Sequence, residues 1–319
     1  MNFFRSTLNA LIAPKLPNAA CVVSGYALAL AQNRGRGGWR SACEPLPPKL
    51  LSPAFDRPNV ADMEQAVNLL SDVAQRSGLG RERRWAVGLP NETARVSIVT
   101  MDAEVAEGKE TSEMLSWKLE RVAGVSADRL RISSSQLTPV NGLRRFLASV
   151  MVEDVAREYD ELFRRLGWQA GLMWPRTLCE TVWLRHAAAL PEQALLSVSD
   201  DVLSVIILQN GEPLLVRTVP LADEDPAEAL LRVLLFYQAR GNENSTARLI
   251  LPEQTHLSRF EVLAVGLPLS QEQLRQCFQE AFNMPPVFLD PVQLGYPAQH
   301  LAASFPQFAA VAGLISLAA

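Results

Sequence analysis

This chain is poor in the residues that build metal and redox chemistry. Its 319 residues include three histidines, His186, His256 and His300, and four cysteines, Cys21, Cys43, Cys179 and Cys277. The cysteines lie far apart with no CxxC pair and no Cys/His cluster, so neither a zinc site nor a redox pair is expected, and the thiols read as reduced and cytosolic. The histidines lack metal-ligand spacing and read as surface or satisfied core residues. No GxSxG elbow gives a serine nucleophile its setting, and no Gly-rich loop ends in Lys-Ser/Thr. Positive charge is not in surplus either: 30 Lys plus Arg stand against 34 Asp plus Glu, for a net charge of −4. A nucleic-acid binder would need a concentrated basic patch. The first 55 residues are mildly basic, with Glu44 as their one acid, but too sparsely so for a nucleic-acid arm. No nucleic-acid partner is expected.

A long apolar run is missing as well. Near the N-terminus, Arg5 is followed by LNALIA and then Pro14, without the continuous apolar stretch or small-residue cleavage site of a leader, so the chain is expected to remain unexported. The last 19 residues, LAASFPQFAAVAGLISLAA, carry no charge. They sit at the short end of the roughly 17 to 25 residues needed to span a bilayer. Pro306, Gln307 and two serines favour a buried terminal helix over 306–317; the competing reading is a tail anchor.

What is present is ample core. With 48% hydrophobic residues, a chain of this length corresponds to about two domains and buries roughly three quarters of its unfolded surface. In the C-terminal half, ALLSV, VLSVIILQ and PLLVRTV read as strands, and Asn210-Gly211 between the last two predicts a type I′ hairpin. Asp225, Pro226 and Glu228 occupy the N-cap, N1 and N3 positions of a helix whose stripe is Leu230, Val233, Leu234 and Tyr237, ending before Gly241. A strand is expected at 247–251, then a helix capped by Ser270 and Gln273 and striped by Leu274, Cys277, Phe278 and Ala281. A strand at 286–289 and the terminal helix complete an order βββαβαβα.

The N-terminal half opens alike, with strands near 20–24, 26–32 and 38–43, a helix over 62–77 and a strand over 85–89. The repetition suggests an internal duplication. Five prolines between 45 and 58 remove so many backbone donors that 44–58 is expected to be a stiff connection that does not pair. A segment fitting neither repeat follows: a strand at 94–101, a helix at 111–122 with Leu115, Leu119 and Val122 inward, and strands near 129–133 and 145–150. A helix over 151–166, striped by Met151, Val155, Tyr159, Leu162 and Leu166, returns the chain to the first domain, which closes with a strand at 168–173 and a helix over 176–188. The resulting division is a first domain of 1–97 and 151–190, an inserted α+β subdomain of 98–150, and a second domain of 191–319.

Two such halves resemble the actin-like ATPase superfamily, an α/β class of duplicated ribonuclease H-like domains. Within it the nearer resemblance is to the PilM family of type IV pilus assembly, carried by WAVGLP, EMLSWKLERV, VLSVIILQNGEPLLVRTVPL, LLFYQARG and FPQFAAVAGLISLA. It runs from about residue 20 to the end. The cell-division protein FtsA and the type II secretion protein GspL share the general architecture.

The resemblance implies Asp-x-Gly turns at the first hairpin of each domain, where glycine admits phosphate to the backbone and aspartate holds hydrated magnesium. Here Val22 and Ser24 stand at those positions in the first domain, and Ser197 and Ser199 in the second, followed by Asp200 and Asp201, whose charge would repel a phosphate. No aspartate precedes Asp56. A third family element, a Gly-rich loop for the adenosine, corresponds to LILPEQTHLS, which has no glycine. The expectation is a degenerate ATPase with no cofactor. The alternative is an active actin-like ATPase holding Mg-ATP through backbone amides.

Other features are explained by structure. Arg34-Gly35-Arg36-Gly37-Gly38 joins two strands and reads as a hairpin turn, and Asp223, Glu224 and Asp225 read as helix capping in preference to a cation site. Trp117 lies off its helix's apolar stripe and matches a tryptophan recurrent in the PilM pattern; it packs within the subdomain or meets a partner. In the family a cytoplasmic N-terminal peptide of the membrane protein PilN docks between the first domain and the insertion. The resemblance therefore implies a groove beside Arg95, Trp117 and Arg121, a PilN-like partner, and a cytoplasmic location at the inner face of the membrane through that partner. The sequence reading is thus an actin-fold adaptor, with the ATPase and a tail-anchored protein as the alternatives.

Overall fold

The computed structural model describes residues 16–35, 38–102, 104, 108–187, 190–242, 260–298 and 305–318. Two five-stranded sheets share one strand order. The first is built from β1 (Ala19–Val23), β2 (Ala27–Asn33), β3 (Trp39–Pro45), β4 (Arg84–Leu89) and β8 (Gln169–Pro175), in the order β3-β2-β1-β4-β8. The second uses β9 (Glu192–Ser199), β10 (Val202–Gln209), β11 (Glu212–Pro220), β12 (Glu261–Val265) and β13 (Val287–Phe288), in the order β11-β10-β9-β12-β13. In each, the first three strands are antiparallel and the last two parallel to the first. The expected duplication is therefore present. Between β4 and β8 lies a separate antiparallel sheet of β5 (Arg95–Asp102), β6 (Leu130–Val140) and β7 (Leu143–Val152), ordered β5-β7-β6, with helix α2 (Lys109–Ala123).

Local chemistry sets most element ends. Asp62 accepts from the Gln65 N–H at 2.9 Å and starts α1 (Met63–Arg76), a cap contributing about 1 kcal/mol. Ser270 and Gln273 form the expected capping box of α6 (Gln271–Phe282). Asn210 and Gly211 have φ of 51° and 80° and close the β10–β11 hairpin as a type I′ turn requires. Helix α3 (Glu153–Arg165) begins two residues later than expected because Met151 and Val152 stay in β7, where they pair with Arg131 and Leu130. Helix α4 is short, Arg176–Thr181, and continues as a 3-10 turn over Val182–His186.

Four expectations need correction. Glu44 and Pro45 pair with β2, and Leu51 bridges Val60, so the proline-rich connection is not wholly unpaired. Val122 is 53% exposed and does not face inward; Leu115 and Leu119 alone carry that stripe. Helix α5 (Pro226–Asn242) runs through Gly241, and β6 and β7 are each several residues longer than expected. The strand expected at 247–251 lies outside the described residues, and the parallel neighbour of β9 is β12.

The core is layered. Helices α1 and α3 cover one face of the first sheet with Leu70, Val73, Tyr159 and Leu162. Helices α5 and α6 cover the outer face of the second sheet with Leu230, Leu234, Leu274 and Phe278. Between the sheets lie α4 and the terminal helix α7 (Phe305–Ser316), packed on Ala20, Ala29, Ala31 and Ala86 from one side and Leu195, Ile206 and Leu263 from the other. Those small alanines let a helix backbone approach the first sheet. Every residue of α7 from Phe308 to Ile315 is buried, which explains its apolar circumference: a helix flanked by two sheets has no wet face. Among the described residues no helix is long and apolar enough to cross a membrane.

Candidate functional site

The β1–β2 turn, Ser24-Gly25-Tyr26, and the β9–β10 turn, Ser199-Asp200-Asp201, occupy equivalent places in the two sheets, and they meet. The Gly25 N–H donates to Asp200 Oδ1 at 3.1 Å, and the Tyr26 hydroxyl donates to Asp201 Oδ2 at 3.4 Å, each pair being 175 residues apart in sequence. Asp200 and Asp201 have φ of 52° and 59°, the left-handed pair a two-residue hairpin needs, which Asp tolerates better than most residues. Burial pushes the Asp200 carboxyl above its ordinary value, opposed by the Gly25 N–H, Arg176 and the hydroxyls of Ser199 and Ser24.

The four positions read from the sequence lie around this junction. Val22 is buried in the layer facing α7, against Gly88, where a Cβ would come within 2.8 Å of the valine methyl. Ser24 spends its hydroxyl on its own turn, accepting from the N–H groups of Ala27 at 3.0 Å and Tyr26 at 3.2 Å. The Ser199 hydroxyl donates to Asp200 Oδ2 at 3.3 Å, whereas that of Ser197 is buried without a partner among the described residues. The glycine-free stretch 249–258 lies outside the described residues. The loop that follows β12 does contain a glycine, Gly266, at φ 65° and so close to the second sheet that a Cβ would stand 2.8 Å from the Val198 carbonyl oxygen.

Residues that sequence reasoning missed tie the two halves together below the turns. Asn91, after β4, donates to Ser204 Oγ of β10 at 3.2 Å and accepts from the Thr177 N–H at 2.9 Å. Arg176 pairs with fully buried Glu180 at 2.8 Å and donates to the Pro306 carbonyl at 2.8 Å. Glu92 faces the junction with one carboxylate oxygen buried and unpartnered, and burial together with Asp200 pushes its carboxyl up to about 8. No periodicity marks these residues; a polar pair directly after an apolar strand, as in WAVGLPNE, is the one signal available.

Beside the junction opens a cleft of about 570 Å³. Phe55, Asp56 and Glu92 of the first domain line it, with Arg95 to Ile98 of β5 and Leu214 to Thr218 of β11. Both β5 and β11 are outermost in their sheets, so each keeps one side outside any ladder. The Arg95 guanidinium lies over the Phe55 ring at 5.0 Å. At the base of β11, buried Arg145 donates to the Pro213 carbonyl and lies 3.8 Å from Glu212, which also accepts from the Thr138 N–H and hydroxyl, sealing the insertion to the second domain. Arg95 thus lines the cleft. Trp117 and Arg121 do not: they stand one turn apart on α2, turned away from Leu115 and Leu119, with Arg121 5.2 Å over the ring of a 52% exposed tryptophan. Trp117 does not pack within the subdomain core.

The acidic helix start and the glycine-rich turn behave as read. Asp225 caps α5 through the Ala227 N–H at 2.6 Å, and Glu224 pairs with Arg232. The Arg34 N–H donates to the Gly38 carbonyl at 2.9 Å, closing the β2–β3 hairpin. No cluster of three metal-ligating side chains occurs among the described residues.

One chain of a PilM–PilN type IV pilus biogenesis complex superposes on this chain with a TM-score of 0.69 over 96% of this chain and 99% of that one, at 18% identity. The fold is PilM-like and actin-like. A Bacteroides thetaiotaomicron protein with an actin-like ATPase fold matches at 12% identity and TM-score 0.48, covering 93% of this chain and 96% of its own. The cytoplasmic domain of EpsL, an inner-membrane component of the Vibrio cholerae type II secretion system, matches at 11% and 0.49, covering 91% and 97%. No protein-family model and no curated protein matches the sequence.

Proposed function

We propose that this chain is a cytoplasmic, non-hydrolysing actin-fold adaptor that receives an extended cytoplasmic peptide of a PilN-like membrane protein and is held at the inner face of the membrane through it. The observation that carries the reading is the cleft bounded by two outermost strands, β5 and β11. An extended peptide can add backbone hydrogen bonds to such an edge, and flanking side chains select its sequence. Arg95 and Arg217 against Asp56 give the cleft both charges. The fold shared with a chain of the PilM–PilN complex supports the partner class. The residues at the junction do not fit a triphosphate: the Gly25 amide is engaged by a carboxylate, and Asp200 and Asp201 would face the anion with like charge.

The test is a fluorescence anisotropy titration of the intact chain with a labelled synthetic peptide carrying the cytoplasmic N-terminal sequence of a PilN-like protein. Saturable binding weakened at least ten-fold by Arg95→Glu is expected. Loss with Trp117→Ala or Arg121→Ala alone would move the site to the outer face of α2, and absence of binding would overturn the reading. The second reading, an active ATPase, draws on Gly266 in the loop after β12. It requires saturable heat on titration with Mg-ATP.

A further inference from the structure

The two equivalent turns are chemically unlike. The first offers donors, the Gly25 N–H and the Tyr26 hydroxyl; the second offers two carboxylates. A backbone N–H at a tight turn can seat an anion, and the charge of Arg176 favours the Asp200 carboxylate that occupies it. Glycine at position 25 leaves that approach open: a Cβ there would press on Pro53 Cδ at 3.3 Å and touch Asp200 Oδ1 at 3.4 Å. The seat is filled from within the chain.

We propose that Asp200 is a tethered anion: its carboxylate, carried on the second domain's turn, takes the position that an external phosphoanion would take at the first domain's turn, and so clasps the two turns without a ligand. The inference extends the non-hydrolysing reading and is independent of peptide docking, since neither Gly25 nor Asp200 lines the Arg95 cleft. It converts the expectation from the sequence, that two aspartates merely repel phosphate, into a specific contact. Removing the carboxylate while preserving the turn should both free the Gly25 amide and open the seat.

Asp200→Gly suits this purpose, because glycine adopts the left-handed conformation of position 200 without strain. Asp200→Asn serves as a second variant that keeps shape and turn preference and removes charge alone. The intact 15N-labelled protein is followed by amide hydrogen exchange at Gly25 and titrated calorimetrically with inorganic pyrophosphate. In Asp200→Gly, exchange at Gly25 should accelerate at least ten-fold and saturable pyrophosphate binding should appear that the unmodified protein lacks, with Asp200→Asn intermediate in exchange. Unchanged exchange in both variants would overturn the clasp. Faster exchange without pyrophosphate binding, or equal binding by the unmodified protein, would overturn the assignment of the seat as one a phosphoanion can share. Peptide binding measured on the same variants separates a failure of this inference from a failure of the adaptor reading.

Discussion

Gly313 of α7 rests directly on the backbone of Cys179 in α4: a Cβ at position 313 would lie 2.2 Å from the Cys179 carbonyl oxygen and 3.4 Å from Trp183 Nε1. The obstacle is backbone, not a movable side-chain end, and Trp183 Nε1 is itself committed to the Ala309 carbonyl at 2.8 Å. Gly313→Ala must therefore push α7 out of the layer between the sheets. A loss of about 2–3 kcal/mol is expected, as for overpacking in a close-packed core. The urea midpoint of the variant measures it, and a midpoint equal to that of the unmodified protein would refute the tight crossing.

Arg176 and Glu180 form an ion pair whose side chains are 13% and 0% exposed. Removing one partner leaves a buried charge, which costs about 3–5 kcal/mol, whereas removing both in favour of apolar groups is often neutral. Arg176→Met should destabilise by that amount, and the double variant Arg176→Met/Glu180→Leu should recover most of it. The loss of the bond to the Pro306 carbonyl persists in both. Chemical denaturation of the set decides; additivity of the two single effects would show the pair to be uncoupled.

The expectations that succeeded rested on signals carried by a few adjacent residues. Asn210-Gly211 fixes its turn by backbone conformation, Ser270 and Gln273 satisfy each other's orphan donors, and Asp62 caps α1, all without reference to distant chain. The duplication was legible because each half repeats the same order of such signals. Errors came where tertiary contact decides. Val122 fits a helical stripe but faces the cleft, and Met151 fits a helix but is held in β7 by pairing with β6. EVLAV is too short and too unexceptional to be picked out as a strand until β9 is placed beside it. At the junction, the aspartates were visible as charges out of place, yet their partner Gly25 lies 175 residues away. No local pattern encodes that distance.

Arg145 is the joint between the insertion and the second domain. Its guanidinium is buried, donates to the Pro213 carbonyl, and faces Glu212 at 3.8 Å; burial holds it below its ordinary value while Glu212 opposes that shift. Arg145→Met keeps the stem's packing and deletes the polar link, leaving Glu212 partly hydrated. A moderate loss of about 1–3 kcal/mol is expected, concentrated in the insertion. Limited proteolysis at the exposed Asn141-Gly142 turn between β6 and β7 should accelerate in the variant, and equal cleavage rates would show that the sheet is anchored by other contacts.

Glu92 sets a pH dependence whose sign can be worked out. Burial is the largest cause of its rise to about 8, its own backbone hydrogen bond opposes it, and Asp200 adds to it. A folded-state value above the unfolded one means that the neutral acid is favoured by folding. The stabilising contribution is complete below the ordinary carboxyl range and is lost as pH climbs towards 8. Asp200 shifts in the same direction, whereas half-buried Glu161 and Glu153, held low by their arginine partners, act oppositely and only at acid pH. Glu92→Gln should therefore remain nearly unchanged in stability at pH 5 and gain on the order of 1–2 kcal/mol over the unmodified protein at pH 8.5, after discounting for partial exposure. Thermal unfolding of both proteins across pH 5 to 9 tests this as a difference, which cancels the titrations they share. Parallel curves would mean that Glu92 is ionised throughout and that its buried oxygen has found a partner in solution.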